Sequence, residues 1–284
     1  MLVHIARRRV LFWVPLAIAL LALSARAEDV PAGQRVFYSG HSFHMFIVPR
    51  IEELAAAAGI KEHHTAGSQM IGGSRVIQHW DLTGEKATAK PALTGGQVDV
   101  FTMAPHILMP DAGIDNFVEL GLKNNPNMRF YVQASWVPFE TLTAKDRITD
   151  NAQRDATDLD ALQKAGDTWR QQVEVQVDAL NVKYGKKAVY IVPVGDAVMA
   201  LRRRVKIGEF PGMTKQAQLF RDPIGHGNGQ IMALTAYCNF AAIYKTSPVG
   251  LKITERGISE DQQAILQRIA WETVSKYERA GVKQ

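Results

Sequence analysis

Short runs rich in β-branched and aromatic residues alternate with helix-period stretches along this 284-residue chain, and that alternation limits the folds open to it. Segments 35–39 (RVFYS), 98–103 (VDVFTM), 128–134 (MRFYVQA) and 188–194 (AVYIVPV) read as strands, with 61–65 a shorter fifth. Helical patterns lie between and after them, at 44–58 (closing at Gly59), 114–122, 196–205 and 231–244. Strands that are apolar on both sides must be covered on both faces, which is the signature of a parallel sheet. The pattern predicts a three-layer α/β/α fold around a mostly parallel sheet of about five strands. In such a fold the ligand site lies at the carboxyl ends of the strands.

One stretch interrupts the alternation. Residues 139–184 hold a polar loop and then a single long helical pattern. Leu159, Leu162, Trp169, Val173, Val177, Leu180 and Tyr184 recur at helical spacing and predict one apolar face. The stretch reads as an elaborated crossover between two strands. A last helix is expected at about 259–282, opened by a Ser259/Gln262 capping box, with Ile265, Leu266, Ile269, Val274 and Tyr277 facing inward. The expected organisation is thus one domain over 28–284.

The first 27 residues have a different character. Arg7, Arg8 and Arg9 precede an apolar run at 10–23, which ends in Ser24-Ala25-Arg26-Ala27. Basic, apolar and small-residue regions in that order read as a secretory signal peptide cut before Glu28. The apolar run is too short to span a bilayer comfortably. A retained N-terminal anchor is the alternative. Export to the periplasm or the medium is therefore expected, with no stable membrane insertion after cleavage.

This changes the charge balance. The full chain carries +5, but the segment removed holds four arginines and no acid, leaving about +1. A nucleic-acid partner loses its electrostatic basis. Arg202-Arg203-Arg204 is the remaining dense basic run, and it reads as a solvated helix face. Cys238, the lone cysteine, falls in an apolar helical stretch and reads as a buried small residue, so no disulfide within the chain is expected.

Two short blocks carry candidate chemistry. Gly40-His41-Ser42-Phe43 places a serine just past the first strand, at a glycine turn that opens a helix. Backbone amides there can stabilise an oxyanion, which suits a nucleophile; Ser42 as a plain helix cap is the other reading. Asp222-Pro223-Ile224-Gly225-His226 lies late in the chain, before a helix. His226 could take the proton of Ser42 and Asp222 could orient His226, a triad in the order Ser…Asp…His. A surface loop with an aspartate turn is the alternative there.

Together the blocks resemble the SGNH (GDSL-like) hydrolases, a secreted-esterase superfamily with a flavodoxin-like α/β/α fold. Gly40-His41-Ser42 matches that family's G-[DN]-S block, with His41 in place of Asp or Asn. Asp222 and His226 match its last block, with one residue more between them than the common D-x-x-H spacing. Gly67, in Thr65-Ala66-Gly67-Ser68, matches the glycine whose amide joins the oxyanion hole; Gly72 and Gly73 are nearby competitors. Val194-Gly195-Asp196-Ala197, 219–222 and 244–251 also look like secreted proteins of this type from environmental bacteria. The likeness runs from Arg35 to Leu251. It implies a secreted serine hydrolase acting on an ester, such as an acetyl ester on a carbohydrate.

One block departs from the family. Thr102-Met103-Ala104-Pro105-His106 stands where a G-x-N-D sequence supplies an oxyanion-hole asparagine. His106 or Gln69 would have to substitute, or the chain is a non-catalytic binding or scaffold relative. Trp80, Trp136 and Phe139 could line a sugar cleft or simply pack. His41, His44, His63, His64, His79, His106 and His226 include no H-E-x-x-H spacing, so no metal is expected. With no G-x-G-x-x-G or Walker sequence, no nucleotide cofactor is expected either.

Overall fold

A computed structural model describes residues 30–282. The expected signal segment lies outside the described residues. Five strands form one sheet: β1 (Arg35–Gly40), β2 (His64–Met70), β3 (Val100–Met103), β4 (Arg129–Gln133) and β5 (Val189–Val192). Their order is β2-β1-β3-β4-β5, and every pairing is parallel. Helices cover both faces, which makes the fold a flavodoxin-like three-layer α/β/α sandwich.

Side-chain alternation assigns the two faces. Val36, Tyr38, Val100, Tyr131, Tyr190 and Val192 pack under α1 (Ile47–Ala57), α6 (Val194–Lys206), α7 (Gly229–Tyr244) and α8 (Glu260–Lys276). Phe37, Phe101, Met103, Phe130, Val132, Val189 and Ile191 point the other way. They meet α2 (Val76–Asp81), α3 (Ala89–Thr94), α4 (Ala112–Asn124) and α5 (Leu159–Lys183). Helix α7 is buried nearly all round because α8 packs over it, which explains its uninterrupted apolar pattern.

The 139–184 excursion is short 3-10 turns followed by α5, whose Trp169, Val173, Val177 and Leu180 are buried against the sheet. The capping box at α8 forms as expected: Gln262 N–H donates to Ser259 Oγ and Ser259 N–H to Gln262 Oε1.

Several boundaries differ from the sequence expectation; the last helix, expected to about 282, ends at Lys276 and is followed by a 3-10 turn at Glu278–Ala280. β2 runs over His64–Met70 rather than 61–65; it is an edge strand of small and polar residues, so no apolar run marks it. α1 begins at Ile47, and residues 42–46 form turns instead of the expected first helical turn. The strand order reverses at β1, with β2 on one side and β3 on the other. The crevice at that switch point is where a fold of this kind binds its ligand.

Candidate active site

The loop after β1 places Ser42 at this crevice. Its turn is closed by His44 N–H and Met45 N–H, which both donate to the His41 carbonyl. His41 Nδ1 accepts from Phe43 N–H at 3.2 Å. That is the bond an Asp or Asn side chain makes in an Asx-turn, so the imidazole fills the same acceptor position. His41 Nε2–H then faces the Pro105 carbonyl. Burial lowers the His41 pKa to about 4, which keeps the ring neutral in this tautomer.

Behind the turn lies a buried polar network. His44 Nδ1–H donates to Gln133 Oε1 at 2.8 Å, and His44 Nε2 accepts from Thr102 Oγ1 at 2.8 Å. Gln133 Nε2 donates to the Phe43 carbonyl and to Ser135 Oγ. Asn239 Nδ2 donates to Gln133 Oε1 from α7. Burial brings the His44 pKa down to about 4 as well. The network ties the Ser42 turn to β3, β4 and α7. Nothing in the sequence pattern marked it, because each polar residue sits singly inside an apolar element.

Asp222 and His226 come from the long connection between α6 and α7. Ser42 Oγ lies 2.9 Å from His226 Nε2, and His226 Nδ1 lies 2.6 Å from Asp222 Oδ2. Asp222 Oδ1 also accepts from the amides of Gly225 and His226. Burial pushes the Asp222 carboxyl up, but the hydrogen bonds from the His226 ring and these two amides outweigh it and hold the pKa below its usual value. The carboxylate is therefore ionised and accepts the His226 Nδ1 proton, leaving Nε2 free to accept from Ser42 Oγ. The turn needs Gly225 at φ 103°, with the Trp136 ring nitrogen 3.3 Å from where a Cβ would sit.

The turn is held from beneath. Trp136 Nε1–H donates to the Gly225 carbonyl at 2.9 Å, and Arg154 Nη2 donates to the carbonyls of Asp222 and Pro223. Arg154 is fully buried and pairs with Glu140, which also pairs with Arg202. This corrects the reading of Arg202 as part of a solvated face: its guanidinium is buried and bonded to Glu140 and Gln216. Phe43 stacks on Trp136 (centroids 4.5 Å apart) and meets the His226 ring edge-on at 5.5 Å.

These groups open on a cavity of about 470 Å³. Its walls include Ser42, His226, Gly72, Gly73, His106, Trp136 and Phe139. The structure thus brings together Ser42, Asp222, His226 and His106 and leaves two other expected residues outside. Gly67 lies in the middle of β2, paired with Phe37, three residues before the strand's end. That separation is roughly 10 Å along the strand, so the Gly67 amide belongs to the sheet and not to the crevice. Its lack of a side chain serves packing: a Cβ would sit 2.8 Å from Phe37 Cε2.

Gly72 and Gly73, in the turn after β2, take its place on the cavity wall. Among the described residues, the amides of Ser42, Gly72 and Gly73 meet no protein acceptor. Gln69 does not reach in either. It donates to the His79 carbonyl and to His79 Nδ1 and accepts from Ala89 N–H. His79 in turn bonds Ser74 Oγ, so this trio anchors the loop that carries Gly72 and Gly73. Trp80 packs against Phe117 and Lys90, away from the cavity. Cys238 is buried in α7. Among the described residues no group of three or more His, Cys, Asp or Glu could hold a metal ion, and no helix is long and apolar enough to cross a membrane.

The fold and this constellation define an α/β/α protein with Ser42, His226 and Asp222 in one hydrogen-bonded chain at the carboxyl edge of its sheet. No protein-family model matches the chain, and no curated protein matches it. Among solved structures it is similar to a DUF4886 family protein from Bacteroides uniformis ATCC 8492, at 15% identity and TM-score 0.57, over 89% of this chain and 100% of that one. That likeness shows a shared fold. Two further structures align at TM-score 0.43. One is a candidate SGNH hydrolase from Slackia heliotrinireducens (14% identity, 73% of this chain and 97% of that one). The other is a candidate GDSL-like lipase from Parabacteroides merdae ATCC 43184 (13% identity, 79% and 99%).

Proposed function

We propose that this chain is a serine hydrolase that cleaves a small acyl ester, and that it works outside the cytoplasm after export. The observation that carries the reading is the relay at the cavity wall, with Ser42 Oγ 2.9 Å from His226 Nε2 and His226 Nδ1 2.6 Å from Asp222. In the proposed reaction Ser42 Oγ attacks the acyl carbonyl while His226 Nε2 takes its proton. Asp222 holds the ring and stabilises the imidazolium. The amides of Ser42 and of the Gly72–Gly73 turn, with His106 where the family has asparagine, receive the oxyanion. His226 then gives its proton to the leaving alcohol, and water releases the acyl group from Ser42 by the same route. The resemblance of the sequence blocks favours an acetyl ester on a carbohydrate, and the cavity volume suits a ligand of that size.

The test is labelling with a fluorophosphonate probe and hydrolysis of p-nitrophenyl esters of increasing chain length. Labelling and turnover that vanish in Ser42→Ala are expected. No labelling and no turnover at any chain length would refute the enzyme and favour a binding protein that keeps the fold.

A further inference from the structure

The cavity is one-sided in its charge. Arg147 lines it, and its guanidinium carbon lies 4.6 Å above the Phe139 ring. Arg147 pairs with no carboxylate among the described residues, and no Asp or Glu side chain lines the cavity. Two further polar atoms there lack partners. Trp169 Nε1 and His106 Nδ1, both on cavity-lining residues, are buried without a hydrogen-bond partner. An indole nitrogen can only donate, and a guanidinium only donates.

The Arg147 platform is also built at a cost. Phe139 and Glu140 both have positive φ, 54° and 63°, a backbone region that side chains other than glycine rarely adopt. The buried pairs of Glu140 with Arg154 and Arg202 hold that conformation. Phe139 N–H donates to the Ile224 carbonyl, and Ile148 N–H donates to the Phe139 carbonyl. The Phe139 backbone is thereby tied to the His226 turn, and its ring lies under Arg147. Arg147 is itself exposed, and the Phe139 ring gives its guanidinium a fixed base.

Resting on the serine-hydrolase reading, we infer that the ester carries a carboxylate, bound by Arg147 on the Phe139 ring. Arg147 is then a specificity-determining residue. The carboxylate can belong to the acyl side or to the alcohol side, as on an acidic sugar. Arg147 is exposed, and a guanidinium–carboxylate contact at an exposed site is worth a preference of roughly threefold to fivefold.

Three phenyl esters separate the cases: phenyl acetate, 4-acetoxybenzoate (anion on the alcohol side) and monophenyl adipate (anion on the acyl side). Rates are corrected for spontaneous hydrolysis. One anionic ester should exceed phenyl acetate in kcat/KM by about threefold or more. That ratio should collapse in Arg147→Met, recover partly in Arg147→Lys, and fall with added sodium chloride. Turnover of all three esters at equal kcat/KM overturns the inference and leaves the hydrolase reading standing. If no ester turns over and no probe labels Ser42, the hydrolase reading fails. Calorimetric titration of the Ser42→Ala protein with benzoate and with monomethyl adipate then decides the site. Binding lost in Ser42→Ala/Arg147→Met supports it, and no binding of either overturns it.

Discussion

Replacing His44 by glutamine should change how the protein responds to acid. His44 is fully buried, its ring nitrogens are committed to Gln133 and Thr102, and burial brings its pKa from 6.5 to about 4. The folded state therefore refuses a proton that the unfolded chain accepts. Its contribution to stability is fully present above pH 6.5 and is lost as pH falls towards 4. At pH 5 the unfolded chain holds most of that proton and the folded chain about a tenth of it. The slope is then about 1.2 kcal/mol per pH unit, and the integral from pH 7 to pH 5 is about 2 kcal/mol. Glutamine has no proton to take in this range. Whatever His44→Gln costs at neutral pH through altered packing is independent of pH and cancels in the comparison. Urea unfolding followed by tryptophan fluorescence at pH 7, 6 and 5 gives both stabilities. The wild-type advantage over the variant should shrink by about 2 kcal/mol over that range. An advantage that is the same at pH 7 and pH 5 would show that His44 is not held neutral, and would refute the network.

Gly67→Ala should destabilise the fold by about 1–3 kcal/mol, because its Cβ would meet Phe37 and its φ of 148° is unfavourable. Turnover per folded molecule should persist, whereas a loss of turnover without a loss of stability would return Gly67 to the oxyanion hole. His106→Ala should lower kcat by roughly 100-fold with little effect on the urea midpoint. Unchanged kcat would remove His106 from the site. Arg154→Met should cost about 3–5 kcal/mol in urea unfolding, since Glu140 and the carbonyls of Asp222 and Pro223 lose a buried donor. A variant as stable as wild type would contradict the buried pairing.

The sheet was legible wherever sequence and burial agree. β1, β3, β4 and β5 are covered on both faces and read as apolar runs, and the α5 stripe and the Ser259 cap follow from local rules. β2 was displaced because an edge strand need not be apolar, and that displacement put Gly67 at the crevice in place of Gly72 and Gly73. Ser42, Asp222 and His226 were legible because turn residues and chemistry coincide in short blocks. Their supports were not. His44, Gln133 and Asn239 look like isolated polar interruptions until the fold joins α1's approach, β4 and α7. Arg202 reads as one of three equivalent arginines, and only the helix's rotation puts it inside with Glu140.

Those supports share a logic. The Ser42 turn hangs on Gln133, which bonds the Phe43 carbonyl, and the His226 turn hangs on Arg154, which bonds the Asp222 carbonyl. Both anchors are buried polar groups in an otherwise apolar interior. Apolar residues of matching volume would often hold such a core as firmly or more so. They would not fix a carbonyl oxygen, because dispersion has no direction, whereas a hydrogen bond sets distance and angle. Ser42 and His226 are 184 residues apart in sequence and meet at 2.9 Å. Keeping two independent loops in that register requires directional contacts beneath each of them. The polar residues buried behind this crevice are therefore better explained by the geometry of Ser42 and His226 than by the stability of the sheet.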